Sequence, residues 1–231
     1  MPKLVIAIDG PAGSGKSSTA RLVAKALGYR YLDTGAMYRA VALKMLQQGI
    51  ELQDLKAIEE LLRDLQIEQK EDSGETTIFL DGEDVTEAIR TPEISLWVGP
   101  VSENPTVRKF LVNLQREMGK KGGIVLEGRD IGTVVFPDAP LKIYLTAELG
   151  ERARRRLRDL NVQGIEQNKE EVQQALEDRD QRDSTRELSP LAKAEDAIIV
   201  DTTHLTLDEQ VQKIVSLARE KERSKKPKKG L

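Results

Sequence analysis

At 231 residues the chain is long enough for one large domain, or for a core carrying insertions, with a proper apolar interior. Its 36 lysines and arginines against 39 aspartates and glutamates leave a formal charge of −3, so no global positive field argues for nucleic acid. The absence of cysteine excludes disulfides, thiolate catalysis and cysteine-based zinc sites, and the single histidine, His204, excludes a histidine-rich metal site. No apolar run approaches the roughly eighteen residues of a bilayer span, the N-terminus has no signal-peptide pattern, and the expected address is the cytoplasm.

Residues 4–8 are apolar throughout, as a parallel strand covered by helices on both faces requires. They lead through Asp9 into Gly10-Pro11-Ala12-Gly13-Ser14-Gly15-Lys16-Ser17, which matches the phosphate-binding pattern G-x-x-x-x-G-K-[ST]. In such a loop the backbone N–H groups turn inward around a polyphosphate. Lys16 brings a point charge to the outer phosphates, and Ser17 offers a hydroxyl to Mg²⁺. Leu22, Val23, Ala26 and Leu27 then mark a helical face, closed by Gly28 as C-cap. A short second strand over 29–32 delivers Asp33-Thr34-Gly35-Ala36-Met37-Tyr38-Arg39 to the ligand side of the sheet. There Arg39 is either an anion contact or an exposed surface arginine.

Leu55, Ile58, Leu61, Leu62 and Leu65 predict an amphipathic helix. Residues 76–80, the dipeptide Asp81-Gly82 and residues 83–85 predict a β-hairpin inserted into an otherwise alternating α/β pattern, since Asp-Gly suits a tight primed turn. Asn104-Pro105 opens a further helix, with asparagine as N-cap and Val107, Leu111, Leu114 and Met118 as its buried stripe. Arg108 sits beside that stripe, and Trp97, just upstream, reads as a packing residue.

Residues 123–127 form the next strand and empty into Gly128-Arg129-Asp130-Ile131-Gly132-Thr133. Further strands are expected over 141–145 and 197–200, five in all for a parallel sheet. Between the last two lie the arginine-rich residues 151–158 and a helix over 170–186. On that helix Arg179, Asp183 and Arg186 share a face, either as ligand contacts or as a solvated salt-bridged surface. The closing helix has a capping box from Thr206 to Glu209 and a stripe of Val211, Ile214, Val215 and Ala218. His204, just before it, reads as a surface residue. Residues 221–231 read as a disordered basic tail.

An acceptor that is itself a phosphate brings an anionic attacking oxygen, so it needs relief from repulsion rather than a strong general base. Each close charge pair costs on the order of a few kcal/mol at an effective dielectric near 20. Arg39, Arg129, Arg152, Arg155, Arg179 and Arg186 suit that demand, together with Lys16 and Mg²⁺. An alcohol acceptor would instead need Asp33 or Asp130 as a base.

Taken together, the loop, the run 32–39, the run 127–139 and the run 179–186 resemble the bacterial cytidylate kinases, in the nucleoside monophosphate kinase family of P-loop proteins. The resemblance covers the chain to about Ala218. It implies an α/β fold, with a three-layer α/β/α core around a five-stranded parallel sheet, a small antiparallel β insert and a short helical lid. Residues 1–33 and 101–220 would form the core, 34–100 the monophosphate-binding domain, and 151–170 the lid.

The implied reaction is Mg²⁺-dependent transfer of the γ-phosphoryl group of ATP to CMP or dCMP, by a monomer with no nucleic-acid or membrane partner. The catalytic residues would be Lys16, Arg129, Arg152 and Arg186. ATP and Mg²⁺ would be held by Gly10, Gly13, Ser14, Gly15, Lys16, Ser17, Ser18 and Arg155, with Ser17 on the metal. Thr34, Arg39 and Arg129 would contact the acceptor phosphate, Arg186 the transferring one, Arg179 and Asp183 the sugar, and Arg108 and Asp130 the cytosine. The sequence departs from the family at Gly99, where related enzymes often carry a serine that also meets the cytosine amino group. Weaker discrimination against UMP is the expected result. The alternatives are another kinase of the same fold, of adenylate, UMP/CMP or shikimate type, and a GTP-dependent switch. Against the switch, Asn168-Lys169 runs into Glu170 and Glu171 rather than completing a guanine-reading N-K-x-D.

Overall fold

The computed structural model of the chain describes residues 3–72, 75–162 and 164–224. Strands β1 (Val5–Asp9), β2 (Arg30–Asp33), β6 (Ile124–Gly128), β7 (Leu141–Thr146) and β8 (Ile198–Asp201) form a five-stranded parallel sheet in the order β2-β6-β1-β7-β8. Central β1 and β6 are almost wholly buried, which their unbroken apolar runs require of strands covered on both faces. Helix α1 (Lys16–Leu27) and helix α8 (Leu207–Ser224) lie against it. Ile6, Ile8, Val23, Ile143 and Ile214 share one core there, each side chain worth ~1.5–3 kcal/mol on full burial. The architecture is the expected three-layer α/β.

Two compact units make up the chain: residues 1–31 with 122–231, and residues 32–121. The second unit runs to Lys121 and includes helix α5 (Pro105–Gly119). Asn104 caps α5 as its sequence predicts, its Oδ1 accepting from the N–H groups of Thr106 and Val107. The unit also holds α2 (Thr34–Gln47), α3 (Leu55–Asp64) and α4 (Pro92–Glu103). Ile58, Leu61, Leu62 and Leu65 are buried as the periodicity of α3 demands, whereas Leu55, at the first turn, is 51% exposed. Trp97 is half-buried on α4.

The inserted β element is a three-stranded antiparallel sheet, β3 (Ile67–Asp72), β4 (Glu75–Leu80) and β5 (Glu83–Asp84). Asp81 and Gly82 make its tight turn with φ of 52° and 86°, as read. The longer partner of β4 is nevertheless β3, paired from Ile67–Leu80 through Asp72–Glu75.

In the first unit α6 (Leu149–Val162) and α7 (Lys169–Thr185) form a helical pair on a small core of Ala12, Ala153, Leu160, Val172 and Leu176. The expected lid, 151–170, corresponds to most of α6 and the connection into α7. Reciprocal bonds between Thr206 and Glu209 build the predicted capping box of α8. Because α8 runs to Ser224, residues 221–224 of the expected disordered tail are helical, and residues 225–231 lie outside the described residues. His204 is exposed, as expected. Among the described residues no helix is long and apolar enough to cross a membrane.

Candidate active site

The loop between β1 and α1 has the shape that its glycines allow. Gly10 adopts φ of 151°, and a Cβ there would stand 2.0 Å from the Leu145 carbonyl oxygen, so only glycine lets the loop cross β7 this closely. Gly13 and Gly15 also have positive φ, and Gly15 is the N-cap of α1. The helix therefore starts at Lys16 with its unpaired N–H groups and positive end at the loop, which is an anion site by construction.

Lys16 is buried and folds back on its own loop, its Nζ donating to the Pro11 carbonyl at 2.6 Å and lying 3.5 Å from Ser14 Oγ. Burial, and then repulsion from Arg129, pulls its pKa down to about 7 while Glu127 works the other way. Ser17 Oγ donates to Glu127 Oε1 at 2.6 Å. Arg155 donates to the Ser14 carbonyl at 3.3 Å and to Thr202 Oγ1 and the Thr202 carbonyl at 3.0 and 2.6 Å, tying α6, the loop and the end of β8 together. Arg152 donates to the Ala147 and Ala12 carbonyls at 3.1 and 3.0 Å and to the Asp180 carboxylate.

The run after β6 is held from β1. Asp9 accepts the N–H groups of Ile131 and Gly132 at 2.8 and 2.7 Å, one on each carboxylate oxygen. These bonds fix a single π-helical turn, Ile131–Val135, directly beyond Asp130. Burial pushes the Asp9 carboxyl up to about 6 despite both bonds. Arg129 Nε donates to Asp183 Oδ2 at 2.7 Å. Burial opposes the charge of Arg129, but Asp183 outweighs it and raises its pKa; in turn Arg129, Arg179 and Arg186 overcome the burial of Asp183 and lower its pKa. Arg186 Nη2 lies 3.9 Å from Asp130 Oδ1, with both side chains nearly inaccessible, and Arg179 lies 4.0 Å from Asp183. On this face Asp183 and the C-cap Arg186 are withdrawn from solvent into a charge network, while Arg179 stays 43% exposed at its edge.

The first unit accordingly gathers Gly10, Gly13, Ser14, Gly15, Lys16, Ser17, Ser18, Arg129, Asp130, Arg152, Arg155, Arg179, Asp183 and Arg186. Thr34, Arg39 and Arg108 belong to the second. There Asp33 caps α2 by accepting the Ala36 N–H at 2.9 Å, which puts Thr34, itself buried, at the first helical position. Half-buried Arg39 donates to Ser95 Oγ and the Ile89 carbonyl at 3.0 and 3.3 Å. Buried Arg108 donates to the Ser102 carbonyl at 3.1 Å and lies over the Tyr38 ring. Gly99 lies inside α4, its carbonyl accepting the Ser102 hydroxyl at 2.7 Å.

Three site residues went unread in the sequence: Asp9, Glu127 and Asp180. Asp9 and Glu127 had a signal, since each is an acid near the carboxyl end of an otherwise apolar parallel strand, where a buried charge must have a reason. Asp180 had none, being one acid among many on α7.

A glycine loop opening a helix from a parallel sheet, with a buried lysine at the helix head and arginines around it, defines a P-loop phosphotransferase. The sequence description of the family "Cytidylate kinase" matches residues 6–220, and the chain belongs to that family. The cytidylate kinase of Caldicellulosiruptor bescii is 49% identical over 217 residues, covering 94% of this chain and 96% of the relative. That of Carboxydothermus hydrogenoformans is 52% identical over 212 residues, covering 92% and 96%. A bifunctional pantoate ligase/cytidylate kinase of Synechococcus sp. is 53% identical over 219 residues, covering 94% of this chain and 41% of its own length. The solved structure of an uncharacterized protein from Eubacterium ventriosum aligns with a TM-score of 0.52 at 12% identity, over 94% of this chain and 99% of that one, a likeness of fold alone.

Proposed function

We infer that the chain transfers the γ-phosphoryl group of ATP to CMP or dCMP, giving ADP and CDP or dCDP. The observation that carries this reading is the company the phosphate-binding loop keeps. Lys16 and the four arginines Arg129, Arg152, Arg179 and Arg186 belong to one unit, which suits a reaction between two anions. An acceptor phosphate is ionised at neutral pH, so its oxygen attacks without a base, and the work left to the protein is positioning and relief of repulsion.

The donor phosphates take the N–H groups of residues 13–18, with Lys16 leaving the Pro11 carbonyl to meet them. Arg152, Arg155 and Arg186 add charge around the transferring group. Ser17 and Glu127, hydrogen-bonded at the head of α1, are hard oxygen donors of the kind Mg²⁺ takes directly or through water, so the residues fit the metal that the family implies. When bound, the ion neutralises phosphate charge. For the acceptor, Arg129 releases Asp183 to hold its phosphate, with Thr34 and Arg39 assigned to the same group, and Arg179 and Asp183 take the sugar.

Asp130 and Arg108 read the base: a carboxylate accepts from the cytosine amino group, and a guanidinium donates to N3 or O2. Uracil would turn a carbonyl toward Asp130 and lose that bond. We assign the catalytic form to a monomer, with 151–170 closing over the donor to exclude water. The test is ADP release from Mg·ATP with CMP, dCMP, UMP, AMP and shikimate offered in turn. CMP and dCMP are expected to lead, and a rate with AMP equal to that with CMP would refute the assignment.

A further inference from the structure

Helix α7 makes a contact that the reaction does not call for. Asp180 Oδ1 accepts the Ala12 N–H at 3.1 Å, a bond across 168 residues, while its other oxygen takes the Arg152 guanidinium. The N–H of Ala12, immediately before the N–H groups assigned to the donor phosphates, and an arginine assigned to the transferring group therefore converge on one carboxylate. These are the two kinds of donor that a phosphoryl oxygen seeks at such a loop. We propose that Asp180 is a placeholder for a donor phosphoryl oxygen, an internal anion that occupies the loop until the triphosphate expels it. The proposal rests on the reading of residues 10–17 as the donor site.

Electrostatics makes the occupation self-limiting. The carboxylate satisfies a guanidinium that is only 10% exposed and would without it lack a counter-charge. With a polyphosphate in the loop the same carboxylate faces several negative charges at close range, and repulsion drives it off. The anchoring of α7 permits that movement. Of its 17 residues only Val172 and Leu176 are buried, in the small core shared with Ala12, Ala153 and Leu160, so little apolar contact resists a shift of the helix.

The same movement reaches the acceptor side. Asp183, one turn beyond Asp180, holds Arg129 at 2.7 Å, and Arg179 flanks it. A shift that withdraws Asp180 from the loop also disturbs the pair that neutralises Arg129. Donor binding thereby frees an arginine needed by the second anion, and α7 carries the message because Asp180 and Asp183 sit one turn apart on it.

The experiment is a calorimetric titration, in Mg²⁺ and without acceptor, of the intact protein and of Asp180→Asn with three ligands: the β,γ-imido analogue of ATP, ADP and adenosine. Removing the competing anion is expected to tighten the imido analogue roughly ten- to a hundredfold, the range of a charged hydrogen bond. ADP should gain less, and adenosine, which has no phosphate, nothing. An analogue affinity that is unchanged or weaker in the variant overturns the proposal, as does an equal gain for adenosine. Asp180→Ala, checked for folding by its thermal transition, repeats the test if Asp180→Asn does not fold. Failure of the donor reading is distinguishable: the analogue then binds neither the intact protein nor the variants, whereas binding that is indifferent to residue 180 sinks the placeholder alone.

Discussion

In β1 and β6 of the five-stranded sheet the acids near the strand ends are buried, Asp9 and Glu127 at 4% and 5% exposure, and each reaches across to another element. In the three-stranded sheet the charges of β3 and β5 face water, and the turn residue Asp81, itself partly exposed, accepts the Gln66 N–H at 2.9 Å and pairs with Lys44 of α2 at 2.7 Å. Burying a carboxylate is costly, so the first arrangement persists because it places loops, whereas the second needs no functional reason. Substitutions in the large sheet should therefore disturb stability and turnover together. Those in the small sheet should disturb stability alone.

The largest effect is expected at Asp9. Asp9→Ala leaves the Ile131 and Gly132 N–H groups buried without partners, each worth ~1–3 kcal/mol, offset in part by removing a desolvated charge. A net loss of about 2 kcal/mol at pH 7 is expected in urea unfolding. Turnover should fall as well, because the turn beyond Asp130 loses its clamp. The pH dependence carries a sign that identifies the group. Since the folded-state pKa is raised from 3.8 to about 6, the folded protein holds the extra proton between those values. The stability this contributes is complete below pH 3.8 and lost as pH rises through 6. The gap between the intact protein and Asp9→Ala should accordingly widen from pH 7 to pH 5. A gap independent of pH would show that the Asp9 carboxyl titrates normally.

The next effect falls on ligand binding. With its pKa lowered to about 7, Lys16 is mostly neutral in the empty protein at pH 8. An incoming polyphosphate restores the proton, so the complex binds more protons than the free protein and affinity declines as pH rises. The expected slope approaches about tenfold per pH unit above 7. Calorimetry of the β,γ-imido analogue at pH 8 in two buffers of different ionisation heat should report uptake of close to one proton. Lys16→Arg, which keeps its charge throughout, should abolish that uptake. Uptake that persists in the variant would assign the proton to another group.

What could be read in advance follows the same division. The apolar runs of the parallel strands, the phosphate-binding loop and the caps at Gly28, Asn104 and Thr206 are local signals, and the structure places each where its sequence puts it. Strand β3 escaped notice because only Ile67 of its six residues is buried, which leaves no alternation to see. Helix α4 was masked by Gly99-Pro100, which argue against a helix that continues through Pro100 nonetheless. At the site, the loop and its arginines were legible as residue types, but their pairing was not. Asp183 meets Arg129 across 54 residues and Asp180 meets Ala12 across 168, and no spacing rule reaches that far.

The smallest effect gives the comparison its control. Gly82 turns the small sheet at φ of 86°, and a Cβ there would meet nothing within 4 Å. The cost of Gly82→Ala is therefore the strain of holding alanine at positive φ, about 1 kcal/mol, with no clash to add. The variant should unfold at a lower urea concentration by that amount while its kcat with CMP and its affinity for the imido analogue stay at the values of the intact protein. A loss of turnover larger than the loss of stability would mean that the β insert reports to the chemistry, and that surface charge on a small sheet is no sign of a purely structural part.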